Sequence, residues 1–236
     1  TEDELAHAEI TTRDIDRGSF PHFLLKEITD APGSFRKTLR GKLIDVEGRF
    51  GVELSDDTLP ADVRAALASG RIDRVLIIGQ GTAAVAGQSL AEHLRELLSE
   101  SECSVEALPA TELSGFRLRA DMSDTLAVAI SQSGTTTDTN RTVDLIRGRG
   151  ASVVSIVNRR NSDLTDKSDG VLYTSDGRDV EMSVASTKAF YAQVAAGLLL
   201  GYAIAESVPG ARRTDHPDEQ ALLHSLAVLP AALERT

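Results

Sequence analysis

Five hydroxyl side chains crowd into seven positions, Ser131-Gln132-Ser133-Gly134-Thr135-Thr136-Thr137, around a single glycine. The chemistry this suits is capture of a phosphate monoester, whose oxygens need several short donors converging from different directions. Hydroxyls supply them without a lysine. The segment follows an apolar run and precedes a helical pattern, so free N–H groups and the helix dipole add to the same field. A turn that merely caps its helix is the alternative, and one or two hydroxyls would suffice for that. Five hydroxyls beside Gln132 favour the phosphate. A Walker A loop is excluded, because Gly134 lacks the Gly-Lys-Ser/Thr spacing that motif requires.

A second loop, Gly79-Gln80-Gly81-Thr82-Ala83-Ala84, has the G-x-G-x-x-A form of a dinucleotide fingerprint, with Glu106 22 residues beyond Ala84 as a possible ribose ligand. A tight glycine turn between strand and helix produces the same spacing. A third segment, Glu181-Met182-Ser183-Val184-Ala185-Ser186-Thr187-Lys188, opens a long apolar helix. Lys188 has the chemistry of a Schiff-base amine and Glu181 that of a general base. The plainer reading puts Glu181 on the helix dipole and Lys188 on a solvated face. His22 has the chemistry of a general acid/base, but a lone histidine early in an amphipathic helix is usually structural. No His, Asp or Glu cluster has metal-ligand spacing, so no metal is expected; no cofactor is expected either. Ser131 lacks the G-x-S-x-G setting of a serine hydrolase.

These loops need a frame. From residue 60 onward helix and strand signals alternate: strands over 74–78, 105–108, 126–130, 153–157 and, fifth, 171–173, with helices over 60–69, 82–98, 136–147, 185–206 and 217–229, the last ended or kinked by Pro230. Continuous apolar runs such as Val75-Leu76-Ile77-Ile78 are what a sheet covered on both faces requires. The pattern predicts a three-layer α/β/α sandwich on a mainly five-stranded parallel sheet. Residues 19–59 are expected to hold two N-terminal helices and a connection, the first capped by Ser19 and broken by Pro32, the second ending near Gly41. Residues 1–18 suit a linker, and 60–236 form the main domain.

The 236 residues are enough for one large domain, taking roughly 150 residues as the usual size. A net charge of −11 repels phosphate backbones and argues against nucleic-acid binding. Cys103, the single cysteine, excludes an intramolecular disulfide and suits a reducing, cytoplasmic compartment. The most apolar stretch, 189–205, contains Tyr191, Gln193, Gly197, Gly201 and Tyr202 and falls short of the ~20 apolar residues of a membrane span. It is expected to be a core helix, with no membrane partner. The first residue is Thr1 and the last stretch is apolar, which together suggest a piece of a longer polypeptide.

The three loops, in this order, resemble the sugar isomerase (SIS) family and its flavodoxin-like fold. More narrowly, the chain is similar to the first SIS module in the isomerase region of the glutamine:fructose-6-phosphate aminotransferases. The specific stretches are Phe20-Pro21-His22-Phe23-Leu24-Leu25-Lys26-Glu27-Ile28 and Val184-Ala185-Ser186-Thr187-Lys188-Ala189-Phe190; Ile130-Ser131-Gln132-Ser133-Gly134 and the Gly81-Thr82 turn are shared more widely. The resemblance implies that Ser131, Gln132, Ser133 and Thr136 hold a sugar phosphate, that Gly81 and Thr82 line the sugar, and that Val184, through its carbonyl, and Ser186 meet sugar hydroxyls. The ligand would be fructose 6-phosphate, glucosamine 6-phosphate or a related phosphosugar. In such enzymes the catalytic lysine, glutamate and histidine come from a second SIS module and the ammonia from a glutaminase domain. The isolated chain is therefore expected to bind without turnover, as part of a homodimer whose remaining partners are those two domains. Two positions depart from the family: Ala83 replaces a common serine, and Thr135 a common glutamate. A non-catalytic phosphosugar sensor and a dinucleotide-binding domain remain the alternatives.

Overall fold

The computed structural model describes residues 16–183 and 186–236. Helix α1 (Phe23–Leu39) leads into a hairpin of β1 (Leu43–Val46) and β2 (Arg49–Val52). Then follow α2 (Ala61–Ala68), β3 (Arg74–Gly79), α3 (Thr82–Leu97), β4 (Ser104–Pro109) and a short α4 (Ala110–Glu112) continued by a π-helical turn. The chain proceeds through β5 (Thr125–Ser131), α5 (Thr137–Arg147), β6 (Ser152–Val157), α6 (Asp163–Asp166), β7 (Gly170–Tyr173), α7 (Lys188–Ser207) and α8 (Pro217–Leu233).

The five strands β3 to β7 form one parallel sheet in the order β4-β3-β5-β6-β7. Alternate residues of each apolar run face opposite helical layers. Val75 and Ile77 join the core beneath α2, α3 and α7, whereas Leu76 and Ile78 join the one beneath α4, α5 and α6. The central strands β3, β5 and β6 are buried on both faces, which is why their runs are largely apolar rather than alternating, whereas the edge strand β4 is only partly buried and carries Ser104 and Glu106. The three-layer α/β sandwich expected from the pattern is present.

Two prolines behave differently from expectation. Pro32 does not divide the N-terminal region into two helices; α1 runs through it, with His22 rather than Ser19 as its N-cap, accepting from the Leu25 N–H. An interior proline costs about 3 kcal/mol. Phe35 and Leu39, on the far side of it, are 3% and 7% exposed and pack with Ala195 and Leu199 of α7 and Leu226 of α8. Burial of two such side chains contributes about 1.5–3 kcal/mol each, enough to hold the second half of the helix in line. Pro230 likewise fails to end α8, which continues to Leu233. Pro230 is itself buried there, so packing again decides.

The β1–β2 hairpin was not expected. Glu47 and Gly48 both have positive φ (55° and 83°), the geometry of a two-residue hairpin turn, and the Gly48 N–H donates to Asp45 Oδ1 at 2.8 Å. Helix α7 is long and apolar enough to cross a membrane by length and composition, but 72% of its apolar window is buried inside the protein.

Candidate functional site

The chain order of the sheet reverses at β3. From β3 the chain moves outward to β4, then returns to β5 on the other flank. Loops leaving β3 and β5 must diverge there, and the crevice between them is where open parallel sheets bind ligands. A cavity of about 240 Å³ lies at this point, lined by Gln80, Thr82 and Ala83 from the β3 exit and by Ile130, Ser131, Gln132, Ser133 and Thr136 from the β5 exit. Glu181, Ser183, Ser186 and Gln193, from the approach to α7 and its second turn, complete the wall. Its size is below the ~300–1,000 Å³ of drug-sized sites and suits a small metabolite.

The turn after β5 is built around Gly134. Its φ is +66°, and its carbonyl accepts from Asn140 Nδ2 and from the Leu164 N–H. The Gln132 carbonyl accepts the N–H groups of Asn158 and Arg159, tying the turn to the exit of β6. Ser131 ends β5 at 2% exposure, and its Oγ accepts from the Gly134 N–H at 3.1 Å. The Thr136 hydroxyl makes no capping bond to α5; it lies 3.1 Å from Ser131 Oγ. This counts against simple helix capping as the purpose of the cluster.

A donor inventory follows from these contacts. Ser133 Oγ accepts from the N–H and the hydroxyl of Thr135 at 3.2 and 3.0 Å, so its own O–H remains to be given. Within the Ser131–Thr136 pair one hydroxyl donates to the other, and whichever accepts keeps its O–H. Two hydroxyl donors are thus left in the cup in front of α5.

The opposite wall is held by carboxylates. Glu181 accepts from the N–H groups of Thr187 (2.8 Å) and Ala189 (3.3 Å) and from the Ser186 hydroxyl (3.1 Å), which makes it the cap of α7. Among the described residues it is the one ionisable side chain lining the cavity. Glu27 of α1 accepts from the Met182 and Ser183 N–H groups and from the Ser183 hydroxyl.

Of the residues singled out from the sequence, Thr82, Ser131, Gln132, Ser133, Thr136 and Ser186 line this one cavity. Gly81, with φ +58°, forms the turn into α3 beside it. Val184 lies outside the described residues. Lys188 is neither on a solvated face nor in the cavity wall. It is 5% exposed, on the far side of the α7 N-terminus, with Nζ 3.5 Å from Asp30. Glu106 is not at the sheet rim. It stands opposite Leu76, within the strands, and is bound by Arg74 at 2.9 Å and Arg117 at 2.6 Å. A carboxylate so engaged does not serve as a ribose acceptor.

Sequence reasoning missed Glu27, Ser183 and Gln193 as parts of the site. Gln193 is 3% exposed, and its Oε1 has no hydrogen-bond partner among the described residues. Its i+5 spacing from Lys188 on an otherwise apolar helix was the available signal.

An open parallel α/β sheet with a hydroxyl-lined cup at its switch point defines a class of small-ligand module. The chain belongs to the SIS domain family, whose model matches residues 71–203. It is similar to the glutamine–fructose-6-phosphate aminotransferases (isomerizing) of Mycobacterium tuberculosis, 36% identical over 229 residues, and of Corynebacterium glutamicum, 38% identical over 226. Each alignment covers 93% of this chain but only 32% and 33% of the relative, so the chain spans about a third of their length. Among solved structures it resembles the C-terminal domain of glucosamine-fructose-6-phosphate aminotransferase from Francisella tularensis, with a TM-score of 0.71 and 26% identity over 92% of this chain and 55% of that one. Glucosamine-6-phosphate deaminase from Thermotoga maritima shares the fold, with a TM-score of 0.59 at 20% identity over 86% of this chain and 53% of that one.

Proposed function

We propose that this chain is the phosphosugar-binding SIS module of a ketose-phosphate aminotransferase/isomerase, with fructose 6-phosphate or a close relative as ligand. The observation that supports it is the cup of Ser131, Ser133 and Thr136, with two O–H groups to give, in front of a helix whose N-cap side chain does not cap it. The phosphate would sit there, with the α5 dipole supplying the charge complement that a lysine supplies elsewhere. Thr82 at one lip and Ser186 at the other would meet the sugar, with Gly81 shaping the turn and the Val184 carbonyl as a further acceptor. Glu181 would face the sugar end, where a carboxylate accepts hydroxyls. At the phosphate end it would repel.

Turnover would require groups from a second SIS module, and the nitrogen a glutaminase domain; the glutamine in the name of the similar aminotransferases, of whose length this chain spans about a third, supports this part of the reading, which also takes the assembly to be a cytoplasmic homodimer. A phosphosugar sensor is the second reading, favoured by Ala83, which lines the cavity without a hydrogen-bonding group. Titration with fructose 6-phosphate, glucosamine 6-phosphate and NAD tests the proposal. Binding of a hexose phosphate without conversion is expected. Binding of NAD alone would overturn it.

A further inference from the structure

Glu27 is a carboxylate 1% exposed on a helix that lies outside the matched family region. Burying such a group is costly unless its oxygens are satisfied, and here no cation within ion-pair distance does so among the described residues. The neighbouring Lys26 is committed to Asp30 at 2.8 Å. Instead Oε1 accepts from the N–H groups of Met182 and Ser183, and Oε2 from the Ser183 hydroxyl. Ser183 itself lines the cavity. Every one of these bonds joins α1 to the wall facing the phosphate cup.

Helix α1 is in turn fixed to the body at several points. Phe35 and Leu39 pack on α7, the Thr38 hydroxyl accepts the Ser175 N–H at 2.9 Å, and Asp30 reaches Lys188 at the start of α7. A rigid element therefore carries Glu27, and Glu27 carries the 181–183 segment. Glu181, capping α7, fixes the other end of the same wall.

We propose that Glu27 is a positioning residue for the sugar half of the site: through Met182 and Ser183 it sets the wall that the sugar meets, while leaving the phosphate cup untouched. This inference rests on the phosphosugar reading above. It predicts a split that a general loss of stability would not produce. In the 236-residue chain, Glu27→Gln keeps the size of the side chain but turns one acceptor into a donor facing N–H groups. Its Kd for fructose 6-phosphate is expected to rise about tenfold, the scale of a lost hydrogen bond, with inorganic phosphate binding unchanged within about twofold. Glu27→Asp, which keeps the charge but withdraws it by one methylene, should show the same split to a smaller degree.

Equal weakening of both ligands, or of neither, would overturn the inference while leaving the phosphosugar reading intact. A wild-type chain that binds neither ligand would overturn both. Should the variants fail to fold, amide exchange in the wild type decides. The Met182 and Ser183 amides are expected to be protected although they lie outside helix and strand, and exchange at the unstructured rate would contradict the anchoring.

Discussion

A Cβ built on Gly134 would lie 2.0 Å from Ser162 Oγ and 2.6 Å from Ser162 Cβ. The turn that shapes the phosphate cup is therefore packed directly against the loop after β6. Gly134→Ala must push Ser162 away and also place an alanine at φ +66°. Overpacking costs about 1–3 kcal/mol and the left-handed backbone roughly 1–2 more. The expected result is a clear drop in the urea midpoint together with loss of phosphosugar binding.

Ser133→Ala and Thr136→Ala test the cup without this strain. Each removes a hydroxyl at the cavity surface and leaves the core alone. A hydrogen bond to a charged group contributes about 1.5–3 kcal/mol, so affinity for fructose 6-phosphate should fall about tenfold to a hundredfold, read by calorimetric titration. Thermal midpoints should stay near the wild type. Unchanged affinity in both variants would move the phosphate elsewhere.

Ala83 is 8% exposed and lines the cavity at the first turn of α3. Ala83→Ser adds a second hydroxyl beside that of Thr82. Affinity for fructose 6-phosphate should rise, by up to about tenfold for one new hydrogen bond. A flat response would mean that the sugar does not reach this wall.

Far from the cavity, toward the other end of α7, the Tyr202 hydroxyl donates to Glu219 Oε2 at 2.7 Å in the buried interior, and Arg212 holds Oε1 at 3.3 Å. Tyr202→Phe leaves half of a buried carboxylate unsatisfied, at about 1–3 kcal/mol. The thermal midpoint should fall by several degrees, at about 2–4 °C per kcal/mol for a chain of this size. Ligand affinity should not change.

Beside that pair, the His93 ring meets Tyr202 edge-on at 4.7 Å. Burial holds the His93 imidazole below its ordinary value of 6.5, against the raising influence of Glu219 and Glu96. As pH falls through about 6.5, the unfolded chain takes up a proton that the folded chain still refuses. Stability from this group is full above that pH and declines below it. Urea midpoints at pH 7.5 and 5.5 should show the decline in the wild type and a smaller one in His93→Phe, which keeps the ring contact.

Much of the fold was legible in the sequence because parallel strands covered on both faces must be apolar throughout. Runs such as Leu126 to Ile130 have few other uses in a chain of this composition. Where sequence rules failed, tertiary packing outweighed a local preference: Pro32 and Pro230 sit inside helices held by burial on α7 and α8. The β1–β2 hairpin escaped notice because its strands are four residues long and its turn is Glu47-Gly48, without the usual Asn or Asp. Within the site, the hydroxyl cluster announced itself by density alone. Glu27 did not, since an acid between Lys26 and Ile28 on an amphipathic helix looks solvent-facing until the 181–183 segment is seen to cover it.

A crystal structure of the 236-residue chain with fructose 6-phosphate tests the central claim most directly. The phosphate is predicted within hydrogen-bond distance of Ser133 Oγ and of Ser131 or Thr136 Oγ, at the N-terminus of α5, with the sugar extending toward Ser183 and Ser186. Electron density for the phosphate at any other surface, with the switch-point cavity occupied by solvent alone, would contradict it.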